Sequence, residues 1–446
     1  MPNERPSDHL TSEVLEELVV GGRDTAQVLR WALDHLARRC ARCEAVLEEY
    51  PRQLLPARVG GDYAGARRRA SDRLLDLAGE REATSSLIAE LLECRMVAEA
   101  VAQVSTSPRF HTWGLASVLI ERAEEALEER PREARVWAQL AVAVAARLDP
   151  VVYGDRIVAE VRALAGVRLA VALLEAQGDQ AGAAHELELA AAWAPAAPDP
   201  DAIEAELELA RCRLDLAAGR FEEVRARAEA LEGRASGGRL AEVRLEALLL
   251  LGRALRGGGD GSLALAAFQI LRSVLKRYGG LPAMERRILL ELGECLVGLG
   301  HFEEALRILQ APELTGADEA GRTAPRRAYW AGVCLLRLGR IEQAEEALEA
   351  AWRGLADEGA AVEAIRALLA LVELHLEGGR LDSVLELLEG SEELFRVDGL
   401  PRSAALVLVR LQGAAARGEL DRAAVEEARA SLEPGGGKPS RLPRIH

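Results

Sequence analysis

Cys40 and Cys43 are separated by two residues, and His35 precedes Cys40 with four residues between. Two thiolates at C-x-x-C spacing can share one ion, and a nearby imidazole can add a third ligand. The fourth has to come from elsewhere; His9, 26 residues before His35, is the candidate. Four protein ligands would make a zinc ion structural, with no open position for water. Two other readings fit the same residues. Cys40 and Cys43 can be ordinary thiols at a helix end beside a helical His35, or they can form a redox dithiol.

The elements that would carry these residues read as a helical unit over 8–49. Thr11-Ser12 can cap a helix running to Val20, Gly21-Gly22 breaks it, and Asp24-Thr25 starts a second one bearing Trp31, Leu33 and Leu36. In an unbroken helix the offset from His35 to Cys40 turns the side chains about 140° apart. Zinc binding therefore requires the helix to unwind near Arg39. The arrangement resembles the zinc segment of bacterial anti-sigma factors, an upstream ligand followed by H-x3-C-x2-C, with one extra residue here.

Other signatures of chemistry are missing from the sequence. The Gly437-Lys438 pair is followed by Pro439 and lacks the upstream glycine of a phosphate-binding P-loop. Gly257-Gly258-Gly259-Asp260-Gly261 is rich in glycine, but no strand precedes it, so it reads as a turn. There is no G-x-S-x-G or H-E-x-x-H. His111, His185, His301 and His375 are isolated and read as surface or packing residues. Paired carboxylates such as Glu124-Glu125 and Glu345-Glu346 fall on helix faces expected to be solvated. No catalytic and no cofactor-binding residues are therefore assigned, and the chain is expected not to be an enzyme.

Composition limits the partners. The chain has 446 residues, 29% charged, with net charge −16. An acidic chain lacks the positive field that nucleic acid needs. Arg67-Arg68-Arg69 alone, without interleaved aromatics, does not change that. Lys276 and Lys438 are the only lysines among 56 basic residues, a bias expected of GC-rich bacterial coding. No stretch of 18 apolar residues lacks charges, so no membrane helix is expected. Met1–Leu10 lacks the pattern of a signal peptide. Six cysteines in so long a chain do not make a disulfide framework. Cys94, Cys212, Cys295 and Cys334 sit singly in apolar helical surroundings and are expected to be buried. A cytoplasmic location is the expectation.

A repeat dominates the rest. Gly178, Gly219, Gly259, Gly300, Gly339, Gly379 and Gly418 follow one another at 41, 40, 41, 39, 40 and 39 residues. A fixed period of this size marks a solenoid. Each period reads apolar helix, glycine turn, amphipathic helix. Gly252, Gly293 and Gly332 stand seven before a turn glycine, where a small residue lets two helices approach closely. Phe221, Phe302, Ile341, Leu381 and Leu420 stand two after it. Ala183, Ala264, Ala305, Ala344 and Ala423 stand five after it, again at an expected close contact. The turn glycine is expected to supply a left-handed cap.

These features resemble the tetratricopeptide repeat. Leu292, Gly293, Gly300, Phe302 and Ala305 match its consensus in register, as do Leu251, Gly252, Ala264 and Phe268. The period near 40 resembles the longer-helix variants of that family. The whole chain also resembles a group of bacterial tetratricopeptide proteins with an N-terminal RHLxxxCxxC segment, whose next blocks look like SPRFHTWGL (107–115) and AVAVAARLDPVVYG (141–154). The resemblance implies an all-α fold, a right-handed superhelical solenoid of hairpins with a small N-terminal helical module.

The expected organisation is a helical, zinc-capable module over 1–50 and a linker or loop over 51–69. An irregular helical region with one repeat-like hairpin follows over 70–164. The solenoid occupies 165–432, and a disordered tail 433–446. Such solenoids typically receive a partner peptide or helix in a concave groove. The expected function is a bacterial cytoplasmic scaffold or adaptor that binds a protein partner. Two alternatives stand beside it: an anti-sigma-like or defence-pathway regulator working through the N-terminal module, and a sensor of a small ligand or peptide. Homo-oligomerisation is left open.

Overall fold

The computed structural model describes residues 63–234, 240–277, 281–315, 321–391 and 402–432. All regular structure among them is helical. The first helices are α1 (Tyr63–Leu92) and α2 (Val97–Thr106). Eight hairpins follow. They are α3 (Trp113–Ala126) with α4 (Pro131–Ala145), α5 (Asp155–Gln177) with α6 (Gln180–Trp193), α7 (Pro200–Ala217) with α8 (Phe221–Arg234), and α9 (Leu240–Gly257) with α10 (Gly261–Arg277). Then come α11 (Pro282–Gly298) with α12 (Phe302–Leu309), α13 (Thr323–Arg337) with α14 (Ile341–Asp357), α15 (Ala361–Glu377) with α16 (Leu381–Gly390), and α17 (Arg402–Ala416) with α18 (Arg422–Ala430). Each hairpin packs on the next, so the chain is an all-α helical-repeat solenoid.

Turn chemistry explains why the helices end where they do. Gly178, Gly219, Gly259, Gly300, Gly339, Gly379 and Gly418 all have φ between 65° and 95°. A left-handed glycine reverses the chain and lets the next amide bond back into the helix. Thus His301 N donates to Leu296 O, Arg340 N to Leu335 O and Arg380 N to His375 O, each at 2.9 Å. Aspartates start several helices: Asp179, Asp199 and Asp421 accept from the amides of Gly182, Ala202 and Ala424. Pro131 opens α4 at a position where a missing N–H costs little.

The core lies between the two helices of each hairpin and between neighbouring hairpins. Gly252 faces the buried Phe268 ring: a Cβ there would lie 2.6 Å from Phe268 Cζ. Gly293 and Gly332 face Leu309 and Leu348 in the same way, each 2.7 Å from where a Cβ would be. In all three pairs the large partner stands 16 residues after the glycine. Ala183, Ala264, Ala305 and Ala344 are buried five after their turns. The last hairpin departs from this register. Ala423 is exposed and Val425 takes the buried place, because Glu419-Leu420-Asp421 lengthens the turn and α18 starts only at Arg422.

Upstream, α1 begins at Tyr63, inside the segment 51–69 expected to be a linker. Its run of alanine, arginine and leucine has good helix propensity, which outweighs the nearby glycines. Glu80 of α1 accepts from Gly114 N and from the Tyr153 hydroxyl. A Cβ on Gly114 would strike the α1 backbone 2.7 Å away. The SPRFHTWGL and LDPVVYG segments therefore serve packing: they dock α3 and the short helix Pro150–Tyr153 onto α1. No described helix is long and apolar enough to cross a membrane.

Candidate functional site

The first helices of successive hairpins carry charge at fixed places. Thirteen residues before the turn glycine stand Glu206, Glu246, Arg287, Arg326 and Arg366. Six before it stand Arg213, Arg253, Glu294 and Glu373. Positions seven apart share one helix face, so α7, α9, α11 and α15 each present a charged pair on an otherwise apolar element.

Stacking brings the stripes together. Arg168 of α5 donates to Glu206 of α7 at 2.8 Å and pairs with Glu124 of α3 at 3.0 Å. Arg213 of α7 reaches Glu246 of α9 at 3.1 Å, and Arg287 of α11 holds the same carboxylate. Arg253 of α9 donates to Glu291 of α11 at 2.8 Å. Arg256 lies 3.0 Å from Glu291 and 2.9 Å from Glu294. Arg322 and Arg326 both pair with Glu363 of α15, at 2.6 and 3.2 Å. The result is a continuous lattice of arginines and glutamates from α5 to α15.

This face looks inward. Glu175, at the end of α5, lies 3.8 Å from Arg213 and 3.5 Å from Arg322, which is 147 residues further along the chain. The α3–α4 turn, which has no glycine, reaches further still. Its Glu128 lies 3.0 Å from Arg287 and 3.6 Å from Arg213. Its Glu129 accepts from Thr323 N at 3.0 Å and from the Thr323 hydroxyl at 2.7 Å, 194 residues away. The groove expected to be open thus holds the chain's own α3–α4 turn against α11 and the start of α13.

Four carboxylates of the lattice are held in the charged form by their arginines. Burial alone would raise the Glu128 pKa, but Arg287, Arg213, Arg253 and Arg326 outweigh it and hold it at about 2. Glu246, Glu291 and Glu363 are lowered against the same opposing burial by their arginines. None of these carboxylates is poised to exchange a proton near neutral pH, as a general acid or base must be. Cys212, Cys295 and Cys334 are buried, and burial pushes each thiol up to about 12, so they are inert as nucleophiles. Cys94 is half-buried and donates to Gln103.

The four described histidines lie apart from one another, with His301 3.8 Å from Glu304 and His375 3.8 Å from Glu345. His111 Nε2 lies 2.7 Å from Val104 O, and His185 and His301 are exposed. His375 is buried in α15; burial lowers its pKa, Arg380 adds to this, and Glu345 opposes it. Glu345, on a helix face expected to be solvated, binds the exposed Arg380 with both oxygens at 2.8 and 2.9 Å. The glycine-rich segment 257–261 is the α9–α10 turn, preceded by helix. His9, His35, Cys40 and Cys43 lie outside the described residues. Among the described residues no group of three or more His, Cys, Asp or Glu could hold a metal ion.

No protein-family model matches the chain, and no curated protein matches it. Among solved structures, the crystal structure of yeast Tom70 is similar at 13% identity, covering 93% of this chain and 87% of that one, with a TM-score of 0.44. So loose a likeness adds nothing to the solenoid already evident from its helices.

The charged stripes were within reach of the sequence. A glutamate or arginine stands both thirteen and six before Gly219, Gly259, Gly300 and Gly379, though not before Gly178 or Gly418. The apolar register draws the eye first, because it is what marks a helix as buried.

Proposed function

We propose that this chain is a non-catalytic scaffold that binds a protein partner along the inner face of its solenoid. The observation that carries the reading is the unbroken stack of eight helical hairpins, whose first helices line one inner face. A solenoid offers such a face as one extended surface. Its charges already pair with one another, so a partner binds by exchanging ion pairs, which makes binding depend on salt. The setting is a bacterial cytoplasm, and the segment bound is a peptide or helix.

The test is affinity capture from native extract followed by mass spectrometry, with wild type run beside a Cys40→Ser/Cys43→Ser variant. A specific partner retained by both proteins, and released by raised salt, supports the scaffold reading. A partner lost with the cysteines moves the function to the N-terminal module and to the anti-sigma-like regulator. No partner at all favours the ligand sensor. A cleft of about 330 Å³ between α10, α11 and α12, lined in part by Arg272, Lys276, Leu292 and Ile308, is where its ligand would be sought. Zinc at His35, Cys40, Cys43 and His9 is a separate proposal carried by their spacing.

A further inference from the structure

We propose that the α3–α4 turn, residues 127–130, together with Arg132 of α4, is a releasable latch that holds the solenoid closed on itself. The inference rests on the fold and does not depend on which surface a partner uses.

Three observations carry it. First, the contact is specific. Arg322 N donates to Glu129 O at 2.9 Å, and the Glu129 carboxylate takes both the amide and the hydroxyl of Thr323, so it caps the start of α13. Beside it, Glu128 sits between Arg287 and Arg213.

Second, the receiving surface is shaped for the turn. Gly321 and Gly359 lie at φ +118° and +70°, outside the seven-glycine repeat. A Cβ on Gly321 would meet Glu129 Oε2 at 2.7 Å, and one on Gly359 would overlap the Arg132 guanidinium. Gly359 leaves room for that guanidinium, and Gly321 lets the backbone pass under Glu129.

Third, the contact is polar, in contrast to the rest of the stack. Successive hairpins bury continuous apolar clusters against one another. Among the described residues, no apolar cluster joins residues 113–145 to residues 321–375. Separating the two sides therefore returns charged and hydrogen-bonding groups to water and exposes no core. Arg287 and Arg213 keep Glu246 as a partner when Glu128 leaves, and Arg322 keeps Glu363. A contact built this way can open while every hairpin stays folded, whereas an apolar interface of the same reach could not.

The test uses the full chain and a Glu128→Ala/Glu129→Ala variant, with hydrogen exchange by mass spectrometry, small-angle scattering and far-ultraviolet circular dichroism. The latch predicts exchange at least ~10-fold faster in peptides covering 127–132 and 321–326, with the other hairpins little changed. It also predicts a larger radius of gyration at unchanged helicity. Local fraying of one turn would not move the radius of gyration, so an unchanged radius overturns the proposal. Loss of helicity throughout also overturns it, since the contact would then belong to the folding core. A second measurement needs no variant. Raising sodium chloride on wild type should speed exchange at 127–132 and 321–326 ahead of the α5–α6 hairpin, and uniform exchange changes would refute a latch.

Discussion

Replacing Glu291 by leucine would strand Arg253 inside the solenoid and leave Arg256 with Glu294 alone. The Glu291 side chain is 2% exposed, against 17% for Arg253 and 25% for Arg256. Arg253 Nε donates to one oxygen at 2.8 Å, and Arg256 lies 3.0 Å from the other. Removing one member of a buried ion pair costs about 3 to 5 kcal/mol, because the other charge is left uncompensated. Arg256 keeps Glu294 at 2.9 Å, and both arginines retain some water, which places the expected loss near the low end, about 3 kcal/mol. Adding Arg253→Met to Glu291→Leu removes most of the stranded charge. The double variant should recover about 1.5 kcal/mol or more relative to the sum of the single ones.

A solenoid can unfold in parts, so one global free energy is not enough. The assay is urea denaturation followed by circular dichroism, read alongside hydrogen exchange in α9 to α12. The single variant should lower protection there first and most. If Glu291→Leu costs under about 1 kcal/mol, or if the double variant is additive, the lattice does not hold the first helices together as argued.

Two glycines of unlike duty should respond differently to alanine. Gly252→Ala places a methyl against the fully buried Phe268 ring and should cost about 1 to 3 kcal/mol by overpacking, whereas Gly339→Ala meets nothing within 4 Å and should cost about 1 kcal/mol for its φ of +74°, both read as shifts in urea midpoint. Truncating Phe268 to leucine should relieve the first variant and leave the second unchanged. Acid should open the α3–α4 contact. The Glu128 pKa is depressed from 4.5 to about 2, so its stabilisation is complete above 4.5 and is lost as the pH falls through about 2. Exchange at 321–326 that rises while the pH is still near neutral would contradict that assignment. Zinc bound at His35, Cys40, Cys43 and His9 predicts about one equivalent per chain by elemental analysis, lost in Cys40→Ser/Cys43→Ser; a metal-free wild-type protein purified without chelator would remove the zinc reading.

The hairpins and their turns were legible in the sequence because their causes are local. A chain that reverses through a left-handed turn needs glycine there, and two helices in close contact need a small residue facing a large one. Spacing alone marks Gly252 and Gly293 as close contacts, while their partners Phe268 and Leu309 come from the packing, and the seven glycine turns mark the helix ends to within a few residues. Ala423 fails for the same kind of reason: a lengthened turn shifts the register by two, and periodicity cannot foresee an inserted residue's effect on which face is buried. Glu128 and Glu129 show the limit. Nothing near them in sequence marks them as partners of Arg287 and Thr323. That pairing depends on curvature accumulated over several hairpins, each adding a small rotation, until residues 194 apart arrive at hydrogen-bonding distance. Local rules give each step of the solenoid. Only the folded stack decides where the steps lead, and there it brings the chain's own acidic turn against its inner face.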